Sequence, residues 1–236
     1  MKLYLFLAFF LTGILLYTGC HIDGIVAKGD IVTELRDIQD FHAVDASTFG
    51  EVELRIDTAY YVEVQAQENI IEHLETINDN GTLKISFDRN IWGAEGVKII
   101  LAAPSWDGIS VSGSCEVNVL DDLTGQDLNL AVSGSGDIDL AGVVFSLIDA
   151  TISGSGSISM PGTTETLYAA VSGSGNLDAL GCIAKFATVS VSGSGNIRIH
   201  VTDELNATVS GSGDVEYTGD PVVNSNISGS GSVRKI

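Results

Sequence analysis

The chain has 236 residues, 11 of them basic and 31 acidic, and a net charge of −20 at pH 7. That balance excludes a general nucleic-acid binder, which needs a basic footprint against phosphate. It also argues against electrostatic docking on anionic lipid, and an acidic surface more often serves solubility and self-repulsion than a specific partner.

The N-terminus carries one charge, Lys2, before an apolar run from Leu3 to Tyr17 and then Thr18-Gly19-Cys20. A charged start, a short apolar core and small residues before a cleavage point make a secretory signal. The run falls short of the roughly 20 residues that span a bilayer as a helix. Its Gly-Cys ending resembles a bacterial lipobox, in which Cys20 is acylated and becomes the first mature residue. Tyr17 departs from that pattern, which usually has Leu three places before the cysteine. The competing reading is a plain signal or an uncleaved anchor with Cys20 incidental. The expected organisation is a lipoprotein signal peptide at 1–19, a tether at 20–35, a β-rich N-terminal region at 36–108 and a repeat domain at 109–236.

From Arg36 the pattern sharpens. Phe41 to Val44, Val52 to Ile56 and Tyr61 to Val64 alternate as strands, and Glu68 to Leu74 suits one short helical turn. Asn80-Gly81 is a hairpin-type turn signal, followed by the strand Leu83 to Phe87. Val97 to Ala102 is another strand, ended by Pro104. This region lacks the repeat that follows and is expected to cap it.

One motif then recurs seven times, with its first serine at 112, 133, 153, 172, 192, 210 and 228. The copies read Val/Ile-Ser-Gly-Ser-Gly, broken only by Cys115. A period near 20 marks a stacked architecture. Five places after each first serine stand Val117, Ile138, Ile158, Leu177, Ile197, Val215 and Val233. Apolar residues occupy alternate positions on both sides of the motif, which is β periodicity. The predicted fold is all-β: a parallel β-helix, or solenoid, with rungs of about 20 residues, its apolar columns buried by stacking. The motif is either a bend, with glycine relieving the backbone, or a straight stretch with inward glycines that let the opposite wall approach. The bend, with both serine columns outward, is the preferred reading. In the last repeat the apolar columns fail at Ser225 and Lys235, as a terminal rung requires. Cys115 and Cys182 fall three rungs apart and are expected to be free thiols.

The sequence resembles the family described as putative auto-transporter adhesin, head GIN domain. The resemblance covers roughly residues 36–236. Its carriers are Arg36, Phe41 and Val44, the segment Glu68-Asn69-Ile70-Ile71 leading to Gly81-Thr82-Leu83, and the Ser-Gly-Ser-Gly-Asp/Asn-Ile pattern at Ser133 to Ile138 and Ser192 to Ile197. It implies a β-helix-like fold, an exported protein of a diderm bacterium, often lipidated, and an adhesion role. It supplies no catalytic residues.

The residues themselves offer little chemistry. His21, His42, His73 and His200 sit in no metal or nucleophile spacing and read as surface residues. Asp137, Asn176, Asn196 and Asp214 follow the motif directly, and stacking would align them with Glu116, Ser157 and Ser232. A row of oxygen ligands suits Ca²⁺, but calcium β-rolls repeat every nine residues; a solvated column of turn-favouring Asp and Asn is the plainer reading. A polysaccharide-cleaving β-helix would need clustered acids, often with Arg or Lys. From 109 onward the only basic residues are Lys185, Arg198, Arg234 and Lys235. The expectation is a non-enzymatic adhesin or binding module at the outer membrane or cell surface, held through acylated Cys20. No cofactor or metal site is expected, and a host or envelope glycan or protein is the expected partner. A purely structural envelope protein is the alternative, and a polysaccharide-active enzyme a weaker one.

Overall fold

The computed structural model describes residues 24–236. Cys20 and His21 lie outside the described residues. The cap strands are β1 (Gly24–Val26), β2 (Ile31–Leu35), β3 (Ala43–Ser47), β4 (Phe49–Ile56), β5 (Tyr61–Gln67), β6 (Leu74–Asp79), β7 (Thr82–Phe87), β8 (Asn90–Trp92) and β9 (Lys98–Ala103). The stack continues with β10 (Gly108–Val111), β11 (Ser114–Val132), β12 (Asp137–Ile152), β13 (Ser157–Ser159), β14 (Gly162–Val171) and β15 (Asn176–Gly193). It ends with β16 (Asn196–Gly211), β17 (Asp214–Thr218), β18 (Val222–Gly229) and β19 (Ser232–Lys235).

The solenoid is parallel throughout its repeats, in the register that the sequence columns demand. Val117 pairs with Ile138, Ile138 with Ile158, Ile158 with Leu177, Leu177 with Ile197, Ile197 with Val215, and Val215 with Val233. All but the last of these are buried. Each large aliphatic side chain so withdrawn from water contributes about 1.5–3 kcal/mol, and no rung could bury its own without a neighbour.

The Ser-Gly-Ser-Gly segment bends, and its serines are exposed on every rung. Inside–outside alternation nevertheless runs through it. The second glycine of each copy from Gly136 to Gly213 is buried, so each of the two readings of the motif holds in part. Both glycines are sterically required. A Cβ on Gly173, whose φ is +153°, would overlap the Gly154 carbonyl oxygen, and one on Gly175 would overlap the Gly156 carbonyl and an Ile152 methyl. Rungs pack backbone on backbone here, and no side chain fits between them.

The cap contains a further rung. β3 and β4 lie in register under the first repeat, with Val111 opposite Ala46, Ser114 opposite Phe49 and Cys115 opposite Gly50. β7 and β9 continue the stack in parallel on β3 and β4. The polarity then reverses: β6 is antiparallel to β7, β5 to β9, and β2 to β5. Asn80 (φ +51°) and Gly81 (φ +88°) make the β6–β7 turn with both residues left-handed, as a tight hairpin needs. The short helical turn falls at Ile71–His73. Arg36 pins the cap by donating to Thr76 Oγ1 at 3.0 Å and to the Ile71 carbonyl at 3.2 Å, with a further bond to the Leu74 carbonyl. Phe41 closes the floor, its ring 5.0 Å from Tyr60 and 5.7 Å from Trp106.

The tether is shorter than the sequence suggests. Residues 24–26 and 31–35 are strands of the cap, and Val32 packs against the core. Five alternating residues are a weak signal when the partner strand, β5, lies far along the chain. At the opposite end β18 and β19 pair on one side only among the described residues, and Ile227 is half-exposed.

Candidate binding faces

Three features stand out on the surface. The first is the pair of serine columns, repeated at the strand spacing of about 4.8 Å. The first column extends into the cap, where the Ser47 hydroxyl hydrogen-bonds that of Ser112 at 2.5 Å, while Phe49 stands opposite Ser114 in the second.

The second is the Asp/Asn column, which the structure resolves as a hydrogen-bond ladder. Asp137 Oδ1 accepts the N–H of Ser157 at 2.8 Å and its hydroxyl at 2.5 Å. Asn196 donates to Asn176 Oδ1 at 3.0 Å, and its own Oδ1 accepts the Asp214 N–H at 3.1 Å. Asp214 Oδ1 in turn accepts the Ser232 N–H at 2.8 Å. These bonds, foremost that from the Ser232 hydroxyl, hold the Asp214 carboxyl below its usual value. Asp137, Asn176, Asn196 and Asp214 therefore each engage one side-chain oxygen with a neighbouring rung. Among the described residues no group of three or more His, Cys, Asp or Glu side chains is placed to hold a metal ion. Beside it runs a charge ladder: Arg198 contacts Asp178 at 3.0 Å and Glu216 at 3.3 Å, and Arg234 pairs with Glu216. Near the cap the signs do not alternate. Desolvation and the Asp137 and Glu116 carboxylates push Asp139 up from its usual value.

The third is a cleft of about 570 Å³ between the serine ledge and the overhanging β7–β8 segment. Ser47, Ser114 and Ser135 edge it; Phe49, Phe87, Arg89 and Trp92 form its wall. Phe49 and Phe87 stack with centroids 5.0 Å apart and planes 10° from parallel. Sequence reasoning missed this cleft. Trp92 lies outside the repeats, and its strand is defined only by pairing with the distant β1.

Among the described residues the histidines converge on no site. His42 Nδ1 lies 2.7 Å from Asp107 and His73 Nδ1 3.0 Å from Asp88, each a peripheral pair. His200 sits in β16. Trp106 is buried and donates its indole N–H to the Arg55 carbonyl at 3.0 Å. Cys115 and Cys182 are buried free thiols, and desolvation pushes both up to about 11.

Fold and faces together define a capped parallel β-solenoid that presents repeated polar ladders. The family model described as putative auto-transporter adhesin, head GIN domain, matches residues 40–221, and the chain belongs to that family. A putative adhesin from Bacteroides fragilis is similar over 90% of this chain and 100% of its own, at 24% identity and a TM-score of 0.84. A putative lipid binding protein from Parabacteroides distasonis shares 24% identity over 91% of this chain and 100% of its own, with a TM-score of 0.77. A putative adhesin from Parabacteroides merdae shares 21% identity over 91% and 99%, with a TM-score of 0.74. At these identities the likeness is one of fold. No curated protein matches the chain. Among the described residues no helix is long and apolar enough to cross a membrane.

Proposed function

We propose that the protein is an exported lipoprotein of the bacterial envelope, anchored at the outer membrane or cell surface through Cys20, that acts as an adhesin without catalysis. The observation that carries this reading is the pair of exposed serine columns. A hydroxyl row with a fixed repeat offers the same polar contact many times over, which suits an extended glycan or protein and gains strength by multivalency. An active site, by contrast, needs one place where unlike groups converge, and the ladders repeat like groups instead. The family's description as an adhesin supports the same reading.

The test is binding of the purified mature domain to immobilised host matrix, to glycans and to bacterial cells. Saturable binding that weakens when Ser133, Ser153 and Ser172 are replaced together by Ala is the expected result. Failure to bind any of these surfaces would favour a structural envelope role, and turnover of a polysaccharide would overturn the non-catalytic reading.

A further inference from the structure

The cleft wall lies beside the point where the described chain begins. β1 starts at Gly24, four residues after Cys20, and runs parallel to β8 with Gly24 opposite Asn90 and Val26 opposite Trp92. Directly paired residues project to the same face of a sheet. Val26 and Trp92 therefore share a face, and they are 55% and 47% exposed. Ile25 and Ile91, one step along, turn inward and pack against the core. The Trp92 indole lies over Gly24, where a Cβ would overlap it. Ile31, 53% exposed, reaches the backbone at Gly96 just beyond β8. Arg89 stands next to this apolar patch. Among the described residues it is the one arginine without a carboxylate in ion-pair range, whereas Arg36, Arg55, Arg198 and Arg234 each have one.

We infer that the β1–β8 ribbon rests in the headgroup layer of the membrane that holds the lipid anchor, with Trp92, Val26 and Ile31 entering the interface and Arg89 on a lipid phosphate. The inference rests on the reading of Cys20 as the acylated residue. Four Cα–Cα steps reach at most about 14 Å, so an acylated Cys20 holds Gly24 within that distance of the bilayer surface. The first surface inside that radius is the ribbon. Tryptophan favours the headgroup level, where its apolar body and its N–H are both satisfied. A guanidinium matches phosphate with paired N–H donors. The chain's net charge of −20 opposes electrostatic attraction to anionic lipid, so the contact depends on the apolar patch and one local cation. The serine columns of the later rungs then project away from the bilayer. The last rung stands five rungs beyond the second repeat, which edges the cleft, or about 24 Å at strand spacing.

The test uses the acylated full-length protein in phosphatidylethanolamine–phosphatidylglycerol vesicles containing a headgroup spin-labelled lipid that quenches fluorescence. Trp106 is buried, so the quenchable emission belongs to Trp92. Quenching in the wild type that is lost in Trp92→Phe is expected, as is no quenching of a fluorophore placed on Ser228→Cys. Combining Val26→Asp with Arg89→Glu should abolish the Trp92 quenching while the thermal melt stays unchanged. Equal emission with and without the spin label, or quenching as strong at position 228, would overturn the inference. Palmitate labelling of the same preparation separates the two readings. Labelled protein with unquenched Trp92 sinks the docking face alone, whereas unlabelled protein sinks the anchor and the inference with it.

Discussion

The carbonyl oxygen of Gly173 accepts the N–H of Ser194 at 2.8 Å, one rung along the stack, and that of Gly195 at 3.0 Å. A side chain on Gly193 would collide with this same carbonyl. The glycine columns are therefore the places where successive rungs hydrogen-bond backbone to backbone. Gly173→Val adds a β-branched side chain at positive φ and against the Gly154 carbonyl. It should cost about 3 kcal/mol or more, in the range of strain and overpacking. Gly229→Val meets the same obstacle at the Gly211 carbonyl, but no described rung stacks on it and its strand can lift away. Its cost should be nearer about 1 kcal/mol. Thermal melts of the two variants decide it, and equal losses would contradict this account of the stack.

Asp214 ties the sixth repeat to the seventh. Its folded pKa lies below the ordinary Asp value because the Ser232 hydroxyl and N–H bond the ionised form. A depressed carboxyl contributes stability that is complete above the unfolded pKa and disappears as pH falls through the folded one. Asp214→Ala leaves the Ser232 N–H without its acceptor and should lower stability at pH 7 by about 1 kcal/mol. Asp214→Asn keeps an acceptor oxygen and should lose less at pH 7, with a shallower decline on acidification. Urea melts at pH 7 and pH 3 would show it; a steeper acid decline in the Asn variant would reject the assignment.

The repeat domain was legible because its signal is redundant: Val117 to Val233 state one apolar column seven times over. The rung at Ala43–Ile56 was not, since Thr48 and Phe49 stand where the repeats have Gly and Ser, and only the pairing with β10 and β11 exposes the shared register. Thr48 is buried there and Phe49 turns to stack on Phe87. The cleft was hidden for a related reason. Three-residue strands such as β1 and β8 carry no periodicity, so their meeting is a tertiary fact. The Asp/Asn column was legible as a column, but its role was not. Whether an oxygen faces a cation or the next rung's N–H depends on side-chain direction, which spacing does not encode.

Arg198 holds two carboxylates on opposite neighbours, Asp178 and Glu216. Arg198→Glu would place three acids in successive rungs at strand spacing. Exposed pairs contribute little each, and like charges directly opposite are destabilising by similar amounts. The expected loss is about 1 kcal/mol at low ionic strength, shrinking in high salt as the repulsion is screened. Melts at low and high salt measure it. A salt-independent loss would mean that Arg198 acts through packing of its stem.

The three cysteines provide a joint test of anchor and fold. Cys115 and Cys182 are buried, free and pushed up to about 11 by desolvation, so at pH 8 they offer little thiolate to a reagent. The native protein should react slowly with a disulfide reagent at both. Lipidation at a lipobox transfers a diacylglyceryl group to the Cys20 sulfur, replacing its S–H with a thioether that does not react. Denatured protein from membranes should therefore show two thiols, while an unprocessed form shows three. Cys20→Ser should abolish palmitate labelling and release the protein from the membrane fraction. Persistent labelling in that variant would refute the lipobox reading. Zero thiols in denatured, unreduced protein would mean that Cys115 and Cys182 form a disulfide, which would break the rung order described above.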